Sequence, residues 1–379
     1  MNRINLILLK GDNMKILHFA EYAKGGVATY LRNTISFQLE SDDIDQVVLI
    51  NSKNKSEEFT FINESKFKQF KYKYSRGISG IFKLLSQRKV IDAYEPDIVH
   101  IHSSFAGLIR LLFFFKKPSY KVVYCAHGWS FIQENKSKLE KKVYAIIERV
   151  LALKTNLIIN VSKNEYLVAI EHKLPKNKMK IVYNSIPNSL TLSSNDMSSV
   201  TLKKSSPQNK VLLFVGRFDK AKGLNFLIDS LDFKDKGIDL FIIGESVLGD
   251  TKNQDTKENI HFLGWIDNGK LSAYMIKADA VIVPSLWEGF GLVALEAMKN
   301  RKIVISSNAG GLPELIEDGF NGLVFKKGSV SDLERAVTIF NSMSESQISE
   351  MGENGFSKYS QKYNYSKLNG QLVQYYKNL

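Results

Sequence analysis

Ala280-Val281-Ile282-Val283-Pro284-Ser285-Leu286-Trp287-Glu288-Gly289-Phe290-Gly291-Leu292-Val293-Ala294-Leu295-Glu296-Ala297-Met298 is the stretch that decides the fold. Its first four residues are apolar and mostly β-branched, the pattern of a short strand covered on both faces. A turn with two glycines follows, then an apolar helix over residues 292–298. The glycines let backbone approach a ligand closely, and the helix start offers free N–H groups suited to phosphate. Strand, glycine turn and helix form the repeating unit of a doubly wound α/β sheet, which binds ligands at the carboxyl ends of its strands.

The same alternation runs outward in both directions. Strands are expected at 211–215, 239–243, 260–263 and 303–305, with helices at 224–231, 270–276 and 333–340. Residues 188–207 interrupt the rhythm with a Ser-, Thr- and Asn-rich stretch of linker composition. Before it, strands at 14–19, 47–50, 97–101, 121–126 and 156–161 alternate with helices at 27–39, 78–94, 106–115 and 139–153. Two doubly wound parallel-sheet α/β domains joined near residues 190–205 are the economical reading. The expected domains are 1–190 and 191–360, with 361–379 a helical segment returning to the first. Met14 looks like a natural start, so residues 1–13 are expected to be a misassigned leader.

A chain of 379 residues is long enough for two such domains. Hydrophobic residues at 44% and charged residues at 24% exclude a disordered or fibrous chain. The single cysteine, Cys125, excludes a disulfide framework or thiolate metal cluster and fits a reducing cytoplasm. No apolar run approaches the ~18 residues of a membrane span. The best, 108–115, is broken by Arg110, and 5–9 is too short for a signal-peptide core. The net charge of +13 sits wholly in residues 1–190, while the rest balances. That asymmetry points to an anionic surface met by one half.

Glu288 and Glu296 bracket the glycine turn with seven residues between them. A carboxylate at Glu296, on the helix, can accept two hydrogen bonds from a diol such as a ribose. At the first strand of the same half, Gly216-Arg217 and Lys222-Gly223 flank another strand-to-helix turn. Their two cations suit the two phosphates of a diphosphate. Gly289-x-Gly291-x-x-Ala294 formally matches a dinucleotide fingerprint. The next strand nevertheless ends in Ser307 and Asn308, without the acid that would hold a ribose in that motif, so a nicotinamide enzyme is not expected. His100 and His102 fall on one face of a strand, but zinc would need further ligands, and ordinary strand-end polar residues are the preferred reading. Cys125 is expected to be a buried thiol.

These residues, together with Gly310-Gly311-Leu312-Pro313-Glu314 and Gly319-Phe320-Asn321-Gly322, resemble the retaining glycosyltransferases of family 4. The likeness covers about residues 210–325 in order and spacing. The first half matches more loosely, through Gly25-Gly26 and His127-Gly128. The resemblance implies the GT-B fold, two Rossmann-like domains facing across a cleft, with a nucleotide-sugar donor in the second and the acceptor in the first. By that likeness Glu296 holds the ribose hydroxyls, and Arg217 and Lys222 neutralise the leaving diphosphate. Glu288 contacts the donor sugar, and backbone N–H groups of Phe290, Gly291 and Leu292 reach sugar or phosphate. Gly26 brings backbone against the phosphate, and His127 lies near the reacting carbon. Trp265 and Ile266 stand where the family packs the nucleotide base. Catalysis without a metal or other cofactor is implied. The usual Gly-Glu-Gly is here Gly244-Glu245-Ser246.

Two basic-aromatic stretches mark the first half. Phe70, Lys71, Tyr72, Lys73 and Arg76 precede one helix, and Phe113, Phe115, Lys116 and Lys117 close another. Interleaved cations and aromatics suit an anionic bilayer or a lipid-diphosphate acceptor, and nothing resembles a nucleic-acid fold. The reading is thus a cytoplasmic, membrane-peripheral, retaining glycosyltransferase. It would move a sugar from a nucleotide-sugar, expected to be a UDP-sugar, to a lipid-linked or saccharide acceptor in bacterial surface polysaccharide. The alternatives are a nucleotide-sugar 2-epimerase on the same fold and a sugar- or lipid-binding protein without turnover.

Overall fold

Two parallel sheets organise the computed structural model, which describes residues 13–62, 65–73, 77–188, 200–245 and 258–379. Residues 1–12 of the expected leader, Arg76, residues 189–199 of the expected linker and Ser246 lie outside the described residues.

The first sheet contains β1 (Met14–Ala20), β2 (Ile44–Ser52), β3 (Phe67–Tyr72), β4 (Ile98–His102), β5 (Lys121–Cys125), β6 (Leu157–Asn160) and β7 (Met179–Ile181). Their order is β3-β2-β1-β4-β5-β6-β7. The second contains β8 (Lys210–Val215), β9 (Ile238–Ile243), β10 (Ile260–Gly264), β11 (Ala280–Val283), β12 (Ile303–Ser307) and β13 (Gly322–Phe325), ordered β10-β9-β8-β11-β12-β13. In each, the strand order reverses beside the first strand, between β1 and β4 and between β8 and β11. That reversal parts the flanking loops at the carboxyl edge and creates the ligand crevice of doubly wound folds. All residues of β4, β11 and β12 are buried, which explains why β11 reads as an unbroken apolar run rather than an alternating one.

The helices are α1 (Gly26–Glu40), α2 (Ile78–Ala93), α3 (Lys138–Ala152), α4 (Lys163–Glu171), α5 (Leu224–Ser230), α6 (Asn268–Lys277), α7 (Leu292–Lys299), α8 (Leu312–Leu315), α9 (Val330–Ser342), α10 (Glu345–Lys362) and α11 (Tyr365–Lys377). The amphipathic α9 shows the logic: Leu333, Val337 and Phe340, at helical spacing, join the same buried core cluster as Phe214, Ile282 and Ile305 of the second sheet. Ser329 caps its start by accepting from the Asp332 N–H. The chain groups into two compact units, one of residues 1–126, 150–158 and 373–379, the other of residues 127–149 and 159–372. Among the described residues no helix is long and apolar enough to cross a membrane.

Two expectations change. Residues 67–72, read as a basic-aromatic approach to a helix, form edge strand β3, paired in parallel with β2. There Tyr72 turns inward and Lys71 is ion-paired with Glu58 at 2.6 Å. Residues 106–115 wind as tight 3₁₀ turns over Ala106–Phe114 rather than as an α-helix. Phe113 consequently points into the core, beneath the Arg88 guanidinium at 4.7 Å and edge-on to Tyr120. His100 and His102 stand at the carboxyl end of β4, as expected, and both are fully buried.

Candidate functional site

The site grows from the switch point of the second sheet. β8 runs into Gly216-Arg217 and β11 into Pro284–Gly291, so both turns leave the same edge of adjacent strands. Their close approach requires glycine. A Cβ on Gly223, whose φ is +71°, would meet the Pro284 carbonyl oxygen at 2.1 Å. The Leu286 N–H donates to the Ala221 carbonyl at 2.8 Å and braces the two turns. A third turn packs from the side: a Cβ on Gly310 would stand 1.7 Å from the Glu288 carbonyl oxygen.

Within this frame the Lys222 ammonium donates to Glu288 Oε2 at 2.6 Å, and the Ser285 hydroxyl donates to the same oxygen at 3.2 Å. Both charged side chains are mostly buried. Arg217 is more exposed and pairs with Asp219 at 2.8 Å. Gly291, with φ +105°, starts α7 without a side-chain cap, so the first N–H groups of that helix, from Leu292 onward, have no intrahelical acceptor. Phe290 itself is buried against Tyr183 and Tyr363, so its ring anchors the turn while its backbone belongs to the loop.

Glu296 lies half-buried on α7. Burial pushes its carboxyl up to about 7, with the Lys299 cation acting in the opposite direction. Trp265 and Ile266 follow β10 at the edge of the sheet, and Trp265 is 45% exposed. Gly26 belongs to the first unit, where it opens α1; the preceding Gly25, with φ +58°, donates its N–H to Glu57 at 2.8 Å. Glu57 also pairs with Arg32.

His127 adopts φ +53°, and burial lowers its imidazole to about 3, so the ring is neutral at physiological pH. The structure brings its loop to the Glu288 turn: a Cβ on Gly289 would stand 3.3 Å from the Gly128 nitrogen and 3.0 Å from Glu165 Oε1. Sequence reasoning missed Glu165. It is wholly buried at the start of α4, where Oε2 accepts the Val161 N–H at 3.0 Å and its own N–H donates to the Ser162 hydroxyl. Burial pushes this carboxyl up to about 7; amides of Val161 and Gly128 oppose that, and the charges of Glu314 and Glu288 add to it. The spacing Ser162-x-x-Glu165 is a capping pattern and was the available signal. Glu314, also missed as a contact residue, accepts the Lys163 and Asn164 N–H groups at the head of α4.

Among the described residues, the side chains gathered closely enough to hold a metal ion are His18, His100 and His102, whose ligand atoms lie within 4.8 Å of one another. His18 Nδ1 shares a hydrogen bond with His102 Nε2 at 2.9 Å, its Nε2 pairs with Gln38, and His100 Nδ1 pairs with the Tyr376 hydroxyl. These bonds tie β1 and β4 to α1 and α11 and account for polar groups so deeply placed.

Comparison with known proteins shows the family and the fold. Residues 24–189 match the family described as Glycosyltransferase Family 4, and residues 201–358 match Glycosyl transferases group 1. An "uncharacterized 41.2 kDa protein in cps region" of Klebsiella pneumoniae is 37% identical, covering 96% of this chain and 99% of that protein. The O-antigen biosynthesis glycosyltransferase WbnH of Escherichia coli is 30% identical over 64% of this chain and 66% of its own. The crystal structure of Anabaena Alr3699/HepE in complex with UDP and glucose superposes with a TM-score of 0.77 at 21% identity, covering 97% of this chain and all of that one. The two sheets thus have the GT-B fold.

Proposed function

We propose, on the premise that the chain belongs to the family 4, group 1 glycosyltransferases, that it transfers a sugar with retention of anomeric configuration from a UDP-sugar to a lipid-linked or saccharide acceptor. The product would be a bacterial surface polysaccharide. The observation that carries this reading is the Lys222–Glu288 pair set beside the uncapped start of α7. As the bond from the anomeric carbon to the diphosphate breaks, negative charge grows on the leaving group. In this reading Lys222, Arg217 and the α7 N–H groups take up that charge, stabilising the transition state more than the ground state.

In this reading Glu296 receives the ribose hydroxyls, Trp265 and Ile266 take the base, and Glu288 orients the sugar. The neutral His127 ring can accept or donate one hydrogen bond near the reacting carbon. Cations and helix dipoles do the work that a metal does elsewhere, so no metal or other cofactor is proposed. The Klebsiella relative of the cps region and the O-antigen enzyme WbnH support the polysaccharide assignment, and the Anabaena complex supports UDP. A lipid-borne acceptor would place the protein on the inner face of the cell membrane.

The test is a nucleotide-sugar panel with a chelator present, read by UDP release and by the anomeric proton of the product. Retained configuration and UDP release only when acceptor is added support the proposal. An inverted product, an absolute need for magnesium, or a sugar epimerised without acceptor overturns the corresponding part.

A further inference from the structure

Helix α3 turns an uncovered apolar stripe outward. Leu139, Val143, Ile146 and Val150 follow one another at intervals of four, three and four residues, which stacks them on one face. Leu153, just past the helix end, continues the row, and all five are between 42 and 73% exposed. The opposite face already supplies the contacts that hold the helix, through Ala145, Glu148, Leu151 and Ala152, all buried. The stripe is therefore additional to what folding requires.

Cations border it. At about 100° per residue, Lys142 and Arg149 fall along one edge and Lys154 along the other. Over residues 136–154 there are six Lys and Arg against two acids. Of the acids, Glu148 is buried and Glu140 accepts the Ser137 N–H at 2.8 Å. At the carboxyl end, Lys154 stacks over the ring of Phe114 at 4.7 Å, and the neighbouring Phe115 is 89% exposed.

A 4-3-4 apolar row could also seat a helix of a second copy. Charge weighs against that occupant, because two such helices would set basic edges beside basic edges, and the exposed acid of the helix, Glu140, is already engaged by the Ser137 N–H and by Lys136. An anionic bilayer fits both parts. The apolar row can enter the headgroup–acyl boundary while the flanking cations reach lipid phosphates.

We propose that α3 lies along an anionic membrane surface, Leu139, Val143, Ile146 and Val150 facing the acyl chains and Lys142, Arg149 and Lys154 facing the phosphates. The biological sense of this docking rests on the reading of a lipid-borne acceptor, but the docking is measured without donor or acceptor. The full chain is sedimented with vesicles of phosphatidylcholine alone or with added phosphatidylglycerol, across a salt series. Two variants accompany it, Val143→Asp/Ile146→Asp and Lys142→Gln/Arg149→Gln/Lys154→Gln, each checked for an unchanged melting temperature and an unchanged UDP-induced shift. Wild type should bind the anionic vesicles and be largely released by salt, as exposed charges are screened beyond ~8 Å at 0.15 M. Each variant should lose at least about tenfold in partitioning. Failure of wild type to bind anionic vesicles, or equal binding by all three proteins, overturns the proposal. So does a wild-type dimer that the Val143→Asp/Ile146→Asp change dissociates. If instead UDP binds no form of the protein while vesicle binding behaves as expected, the donor reading fails and the docking stands.

Discussion

The Lys222 ammonium and a Glu288 carboxylate oxygen stand 2.6 Å apart, joining the turn after β8 to the turn after β11. Each side chain comes from a different strand end, and each is mostly removed from water. In the proposed function the pair would preset the distance between the cation for the diphosphate and the acid for the sugar. Replacing Lys222 by Ala should lower kcat/KM by about 10²–10³, the usual cost of one preorganised charge-stabilising contact. Glu288→Ala and His127→Ala should depress kcat more than donor affinity, whereas Arg217→Ala and Glu296→Ala should mainly weaken donor binding. Steady-state kinetics beside UDP-sugar titration separates the two groups. Near wild-type turnover by the His127→Ala protein would remove that residue from the site.

The buried Glu165 carboxyl titrates at about 7 in the folded chain, well above the usual carboxylate range. A raised folded-state value means the stabilising protonated form is fully present below about pH 4.5 and is lost as pH rises through 7. Glu165→Gln, neutral at every pH but with one acceptor oxygen fewer for the Val161 and Gly128 amides, should be no more stable than wild type near pH 4.5. At pH 8 it should be more stable, by up to about 3 kcal/mol if the whole shift is expressed. Urea unfolding of both proteins at the two pH values measures this; a difference that does not change with pH refutes it.

Gly310 and Gly319 both have positive φ, at +55° and +76°, but only at Gly310 would a Cβ strike backbone. Gly319→Ala meets nothing within 4 Å and should cost only the left-handed strain, about 1–2 kcal/mol. Gly310→Ala must push the Glu288 carbonyl away, so it should cost more and also lower transfer activity. Equal melting temperatures for the two variants would contradict the close packing of these turns.

Trp265 is half-exposed at the end of β10 and packs no core. Trp265→Ala should leave the melting temperature within error and weaken UDP binding by roughly tenfold or more, in line with about 1–3 kcal/mol for base–aromatic stacking. Calorimetric titration with UDP checks it, and unchanged affinity would place the base elsewhere.

By itself the sequence determined the second half of this protein almost element by element. Residues 280–298 read as strand, glycine turn and helix because each of those signals is local: a β-branched run, a backbone that must bend, an apolar helical stretch. The glycines at 223, 289, 291 and 310 were legible for the same reason, though only the folded chain shows which carbonyl each one approaches. What the tertiary structure decided was direction and company. Phe113 turned inward because 3₁₀ winding replaced α-helix over Ala106–Phe114, and a small change in turn angle redirects every side chain. His18 joined His100 and His102 through the pairing of β1 with β4, two segments some eighty residues apart. Glu165 reached the Gly128 and Gly289 loops only once α4 was placed. The stripe on α3 has the spacing of an ordinary core-facing helix, and nothing in that spacing says which side meets water. Periodicity is a property of one segment, whereas burial is a property of what the rest of the chain brings against it.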